Sequence, residues 1–115
     1  MKNGWVKEVN KPYTKDMVKR HYVNGKIHND DGPAVIYNDG TKEWWSDGLM
    51  QRENGPAVIM HDGTISWWHE DKPHNLNGPA VMFFDGKIEY YIEGKKYNKE
   101  EWEHELLTRK LAGIQ

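Results

Sequence analysis

A 23-residue period governs this chain. Gly32-Pro33-Ala34-Val35 returns as Gly55-Pro56-Ala57-Val58 and again as Gly78-Pro79-Ala80-Val81. Asp39-Gly40, Asp62-Gly63 and Asp85-Gly86 keep that spacing, and so do Trp44-Trp45, Trp67-Trp68 and Tyr90-Tyr91. His21-Tyr22 stands one period before Trp44-Trp45, so a degenerate unit precedes three full ones. Features held in register without an insertion define a repeat array, in which each unit buries its apolar surface on its neighbours. The chain reads as a single domain: a leader over 1–17, repeats over 18–97 and a helix over 98–112.

Within a unit, Ala34-Val35-Ile36-Tyr37 favours a strand through β-branching and aromaticity. Pro33, Pro56 and Pro79 begin their strands, where a missing N–H does least harm. Asp-Gly is expected to supply the two left-handed positions of a two-residue hairpin turn, and the returning strand ends in the aromatic pair. A second turn signal follows at Asn24-Gly25, Asp47-Gly48 and Glu93-Gly94. The second unit has Asp71 in place of that glycine, with Pro73 beyond, so its connection is expected to differ. The fold class is mainly β: repeated β-hairpins in a curved antiparallel meander, with one C-terminal helix.

Two-residue turns fix a register by counting. Ala34 would face Trp45, Val35 would face Trp44, Ile36 would face Glu43 and Tyr37 would face Lys42. One face then holds Val35, Tyr37, Trp44, Val58, Met60, Ile65, Trp67, Val81, Phe83, Ile88 and Tyr90, with Lys42 its only charge, and is expected to be the core. The other holds Ala34, Ile36, Glu43 and Trp45, then Ala57, Ile59, His61, Ser66 and Trp68, then Ala80, Met82, Glu89 and Tyr91.

Asn98 followed by Glu101 reads as a helix N-cap with its capping-box partner. Glu100 and Glu101 suit the positive helix terminus, Glu105 and Arg109 form an i,i+4 pair, and Gly113 is a stop. Trp102, Leu106, Leu107 and Leu111 supply an apolar stripe expected to cover one end of the sheet. The leader residues Trp5, Val6, Val9, Tyr13 and Met17 show no clean period, and strand and helix both remain open there.

Only 37% of the chain is apolar and 30% is charged, and six Trp, six Tyr and two Phe dominate the apolar set. Aromatics bury large areas per residue, which suits a thin or elongated structure. There is no cysteine, which excludes disulfides and thiolate metal sites and points to the cytoplasm. No apolar run follows Met1, so no signal peptide is expected, and no stretch is apolar for long enough to span a membrane. Residues 21–94 hold five Lys/Arg against twelve Asp/Glu, a net of −7 (5 − 12). Such a body repels phosphate backbones and anionic lipid heads. Nucleic acid and membrane are therefore not expected partners of the repeats, although the basic leader keeps nucleic acid open.

Tyr22-Val23-Asn24-Gly25-Lys26-Ile27-His28, then Asp30-Asp31-Gly32-Pro33-Ala34 and Asp39-Gly40, resembles the MORN repeat and its bacterial and phage variants over about residues 18–97. Gln51 and Tyr97 depart from it where His28 and His74 stand, and Asp71 departs at the turn glycine. The resemblance implies a single-layer, curved antiparallel sheet used as an interaction scaffold, and a bacterial or phage accessory protein located in the host cytoplasm if viral. Other members are associated with membrane attachment or protein docking, and neither role has a diagnostic residue to carry across.

Catalysis has no foothold. There is no nucleophile–base–orienter trio, no glycine-rich phosphate loop and no His-Glu-x-x-His. Glu43 and Glu89 lie two repeats apart, about 20 Å at ~4.8 Å per strand, too far for paired carboxylates. His61-Asp62 falls on a turn, and a metal site needs several converging ligands, so no cofactor or metal is expected. His28 and His74 recur at one repeat position, where a hydrogen bond to the connecting loop is favoured over ligand binding. The aromatic column Tyr22, Trp45, Trp68 and Tyr91 has two readings. Each ring packs over Ala34, Ala57 or Ala80 as a structural ladder, or stays partly exposed as a binding surface bordered by Glu43, Ser66, Glu89 and His61. The function expected first is a non-catalytic adaptor or inhibitor that docks a protein partner, or a second copy in a homo-oligomer, through its sheet. The alternative is sequestration of a small ligand, a nucleotide or a sugar, in an aromatic groove.

Overall fold

A computed structural model describes residues 1–9 and 17–113. The strands are β1 (Gly4–Val9), β2 (Met17–Val23), β3 (Lys26–Ile27), β4 (Val35–Tyr37), β5 (Lys42–Glu43), β6 (Trp45–Ser46) and β7 (Leu49–Met50). They continue as β8 (Val58–Ile59), β9 (Ile65–Ser66), β10 (Trp68–His69), β11 (Lys72–Pro73), β12 (Val81–Met82), β13 (Ile88–Ile92) and β14 (Lys95–Tyr97), before α1 (Lys99–Leu111). A ten-stranded open antiparallel sheet runs in the order β1-β2-β4-β5-β8-β9-β12-β13-β14, with β3 paired to β2. The hairpins β6-β7 and β10-β11 form two small sheets beside it. The meander of repeated hairpins with one C-terminal helix is therefore the architecture. Its radius of gyration, 16.0 Å, exceeds the roughly 13 Å of a compact chain of this length.

The described part of the leader forms a strand, Gly4–Val9. β1 pairs with β2 from Gly4↔Tyr22 to Val9↔Met17, and Tyr13 lies outside the described residues. Its first residues imitate a repeat unit. Gly25 donates to the Lys2 carbonyl and Asn24 to the Asn3 side chain, both at 2.9 Å, just as Gly48 donates to the Ile27 carbonyl and Asp47 to the His28 ring.

The Asp-Gly sites between the paired strands are not the two-residue turns expected there; the second turn sites are. At Asp39-Gly40, Tyr37 N–H donates to Thr41 O and Gly40 N–H to Tyr37 O. The loop therefore has three residues, with a type I turn closed by a left-handed glycine. Gly40 has φ +93° while Asp39 stays out of the left-handed region, because its carboxylate accepts from Thr41 N–H at 2.8 Å. Asp62 and Asp85 do the same for Thr64 and Lys87. The true two-residue turns, with both central residues left-handed, are Asn24-Gly25, Asp47-Gly48, Glu70-Asp71 and Glu93-Gly94. Asp71 keeps that conformation at φ +68°, so the second unit's connection matches its sisters. Its carboxylate accepts from Met50 N–H at 2.8 Å, and its own N–H donates to Met50 O.

The longer loop shifts the expected register by one. Val35 pairs with Glu43 and Ile36 with Lys42, and because side chains alternate along a strand, the slip moves each returning strand to the opposite face. Paired residues share a face, so one row runs Val6, Arg20, Val35, Glu43, Val58, Ser66, Val81, Glu89. The other runs Lys7, Lys19, Ile36, Lys42, Ile59, Ile65, Met82, Ile88. These are termed the valine face and the isoleucine face. Neither is a dry core by itself. Val18, Val35 and Val58 are buried on the first, while Ala34, Ala57, Ala80 and Ile92 are buried on the second. The three repeat alanines are 0% exposed, which explains the Gly-Pro-Ala-Val motif: a larger side chain would part the strands there.

α1 begins at N-cap Asn98, whose capping box with Glu101 is closed in both directions. It meets the isoleucine face through Trp102, whose ring lies 4.7 Å from that of Tyr90 and whose Nε1 donates to Asn75 O. No residue of α1 is buried. Leu107 and Leu111, expected in the covered stripe, are 54% and 80% exposed. Leu106 is half-buried, and Arg109 bonds Glu105 and lies 3.6 Å from Glu93, so the helix rests on one ring, one leucine and a charge cluster.

Candidate binding surfaces

The aromatic column stands on the valine face, but it does not pack over the repeat alanines. Alternation places Trp45 with Val35 and Glu43, while Ala34 shares the opposite face with Trp44. Each column residue ties its polar tip to a nearby acceptor. Trp45 Nε1 donates to Glu43 at 2.9 Å, Trp68 Nε1 to Ser66 at 2.8 Å, and Tyr91 OH to Glu89 at 3.2 Å. Tyr22 OH donates at 2.7 Å to Glu8 of the leader strand. Tyr37 also donates to Glu43, so this carboxylate anchors two rings across Val35 and Val58. The rings are half-buried and Tyr22 is buried.

The electrostatics follow from these bonds. Burial, and then the Glu89 carboxylate, push the Tyr91 phenol up, and Tyr22 moves up by burial and Glu8. The Lys96 hydrogen bond at 2.9 Å draws Glu89 below the usual carboxylate range, and the Tyr22 hydroxyl does the same for Glu8. Glu43 and Glu89 stand four strand spacings apart in their row, roughly 19 Å at ~4.8 Å each. Each acid serves an aromatic tip, and the two do not converge.

His61 is not with the column. It sits in the Asp62-Gly63 loop with Nδ1 3.2 Å from Asp39, at the far end of the returning strand from Trp68. Its backbone N–H is held by Thr41 Oγ1, as Phe84 N–H is held by Thr64. These threonines are buried and staple each loop to the next. His28 and His74 likewise bond the connecting turns, through Nδ1 to Asp47 and Glu93 N–H. No group of three potential metal-binding side chains occurs among the described residues, and no helix there is long and apolar enough to cross a membrane.

Two surfaces remain open. On the isoleucine face, Ile36, Ile59 and Ile65 are half-buried, and Met82 and Ile88 are 40% and 46% exposed. Phe84, 69% exposed, lines a cleft with Ile88 at the third loop. At the other end of the strands lie two clefts, of 510 and 810 Å³. Trp44 and Trp45 wall the first, Trp67 and Trp68 the second, and Arg52, Glu53, Asn54 and His69 line both. Sequence reasoning missed these four. Their signal was positional: 52–54 form the loop that leads into each Gly-Pro motif, one period after 29–31. No protein-family model, no curated protein and no solved structure matches this chain.

Proposed function

We propose that this protein is a non-catalytic binding module that docks a protein surface, in the manner of a MORN-like scaffold, through its isoleucine face. The observation that supports this most directly is the run Ile59, Ile65, Met82 and Ile88, aliphatic side chains on adjacent strands that stay partly exposed, with Ile36 beyond Lys42 at its edge. Contiguous apolar area of this kind is uncommon on soluble monomers and marks interfaces. The total area agrees. The chain exposes 7855 Å², whereas a compact monomer of its mass exposes about 6500 Å². The difference, about 1350 Å², exceeds one side of a standard protein interface, about 800 Å². Lys7 and Lys19 extend the row at its N-terminal end and Lys42 stands within it between Ile36 and Ile59, so the fitting partner is apolar with acidic groups opposite these lysines.

The test compares wild type with the double variant Ile59→Lys/Ile65→Lys, using light scattering for self-association and an apolar fluorescent dye for free surface. Docking through this face predicts that wild type associates in a salt-resistant way or binds the dye. The variant should do neither, while keeping its β-sheet spectrum. A monomeric wild type that binds no dye rules the surface out.

A further inference from the structure

We infer that the two tryptophan-walled clefts form one groove that binds an extended, uncharged oligosaccharide running across the repeats. The clefts are repeat-related, with Trp44-Trp45 in the first replaced one period later by Trp67-Trp68 in the second. Arg52, Glu53, Asn54 and His69 line both, so the two clefts adjoin along one shared polar border. Successive units are offset by two strands, roughly 9.6 Å at ~4.8 Å per strand, which is about the length of two pyranose rings. The groove therefore repeats on the scale of a disaccharide.

The lining chemistry selects the class. Ligand sites combine aromatic walls with a few placed polar groups. Indole faces match the C–H faces of pyranose rings, and the amide, carboxylate, imidazole and guanidinium of the border match hydroxyl groups. Asn54 and Glu53 are exposed and form no hydrogen bond within the chain among the described residues. Arg52 is already fixed, with its guanidinium 4.0 Å over the Trp44 ring and Nη1 donating to Pro56 O, so it presents its remaining N–H groups with little entropy left to lose. At the matching position of the next unit stands Asn75, which bonds Pro79 O in the same way but, being neutral, cannot stack a cation on Trp67 as Arg52 does on Trp44. A nucleic-acid strand would need net positive charge along its path, and Asp30 and Glu53 offset Arg52 here. The groove shares only Met82 with the docking row and does not depend on that reading.

The test titrates the full chain with neutral oligosaccharides built from glucose, N-acetylglucosamine, mannose and xylose, each from monosaccharide to hexasaccharide. Tryptophan fluorescence and calorimetry report binding, with homopolymeric RNA and an acidic peptide as the competing classes. At least one sugar series should bind, with affinity rising ~10-fold or more once the chain is long enough to engage both clefts. Asn54→Ala/His69→Ala, exposed positions whose loss should leave the melt unchanged, should abolish that gain with length. No binding by any sugar series at millimolar concentration, affinity independent of length, or binding of RNA or peptide in place of sugars would each overturn the inference. So would a folded double variant with undiminished affinity.

Discussion

The Nδ1 atom of His28 accepts a hydrogen bond at 3.0 Å from the backbone N–H of Asp47, nineteen residues downstream. Its Nε2 donates to Asp30 at 2.8 Å, which fixes the neutral tautomer with the proton on Nε2. His74 accepts from Glu93 N–H in the same way, and in the middle unit Gln51 Oε1 accepts from Glu70 N–H. Gln51 therefore does not break the repeat. It supplies an acceptor at the same place by other chemistry, and each such bond clips one unit's two-residue turn to the unit before it.

This clip makes the fold sensitive to acid. Burial and the neighbouring His69 and Arg109 lower the pKa of His74 from its ordinary 6.5, against a smaller opposing pull from Glu93. A His with a depressed folded pKa binds protons more readily unfolded, so stability is full above the unfolded value and falls as pH drops below it. A protonated Nδ1 would also turn a donor toward the Glu93 N–H. Thermal melts should shift downward from pH 7 to pH 5, and His74→Gln, which copies Gln51, should flatten that slope. An unchanged slope in the variant would place the acid sensitivity elsewhere.

The three-residue loops predict a glycine effect of purely backbone origin. Gly63 has φ +94°, and a β-carbon there would meet nothing within 4 Å. Gly63→Ala should therefore cost about 1–2 kcal/mol from the left-handed conformation alone. Gly63→Asn should cost clearly less, because asparagine tolerates that region. Urea unfolding of the pair measures both, and equal costs would mean that space, not φ, constrains the site.

Local chemistry was legible in the sequence, and inter-unit chemistry was not. Asn98 and Glu101 lie three residues apart and announce a helix start that the structure reproduces. The repeat period, the hairpins and the open meander follow from Gly-Pro-Ala-Val and Asp-Gly in the same way. The choice between turn types does not, because Asp39-Gly40 and Asp47-Gly48 are identical dipeptides. What separates them is the extra loop residue Asn38 with the Asp39–Thr41 bond in one case, and a donor captured by His28 of the previous unit in the other. That single ambiguity shifts the register by one and exchanges Trp44 with Trp45 between faces. The pairing of Trp45 with Glu43 survives, since residues two apart share a face in any register. His61 was misplaced because a turn residue does not continue the strand's alternation.

Asp71 tests how far a side chain can replace a glycine. Its φ of +68° is uncommon for a residue with a β-carbon, and its carboxylate accepts the Met50 N–H. Asp71→Asn keeps the acceptor and suits the conformation, so its unfolding midpoint should equal or exceed that of wild type. Asp71→Ala loses the acceptor and keeps the strain, and should cost about 1–2 kcal/mol. Asp71→Gly should fall between them, relieving strain but freeing the Met50 N–H. An alanine variant as stable as the asparagine variant would show that this bond contributes nothing.

The helix depends on one residue more than its sequence suggests. A 13-residue helix is marginal in water without tertiary contacts, and α1 buries no side chain of its own. Leu107 and Leu111 face outward, and Arg109 with Glu105 and Glu93 forms a partly exposed cluster, which is worth little by itself. What remains is the half-buried Leu106 and, above all, Trp102, stacked on Tyr90 and bonded to Asn75 O. Trp102→Ala removes both contacts and should release α1. The helical circular dichroism signal near 222 nm should fall, while the sheet survives, because the buried Val18 and Val35 lie on β2 and β4, whereas α1 packs mainly on β13 and β14. Trp102→Phe keeps the ring contact and loses only the hydrogen bond, worth about 0.5–1.5 kcal/mol, so its helix should persist at low temperature and melt earlier. If Trp102→Ala kept full helicity, the capping box and the Arg109 cluster would have to hold α1. If the whole chain unfolded, the helix would be part of the core and not an appendage to the last unit.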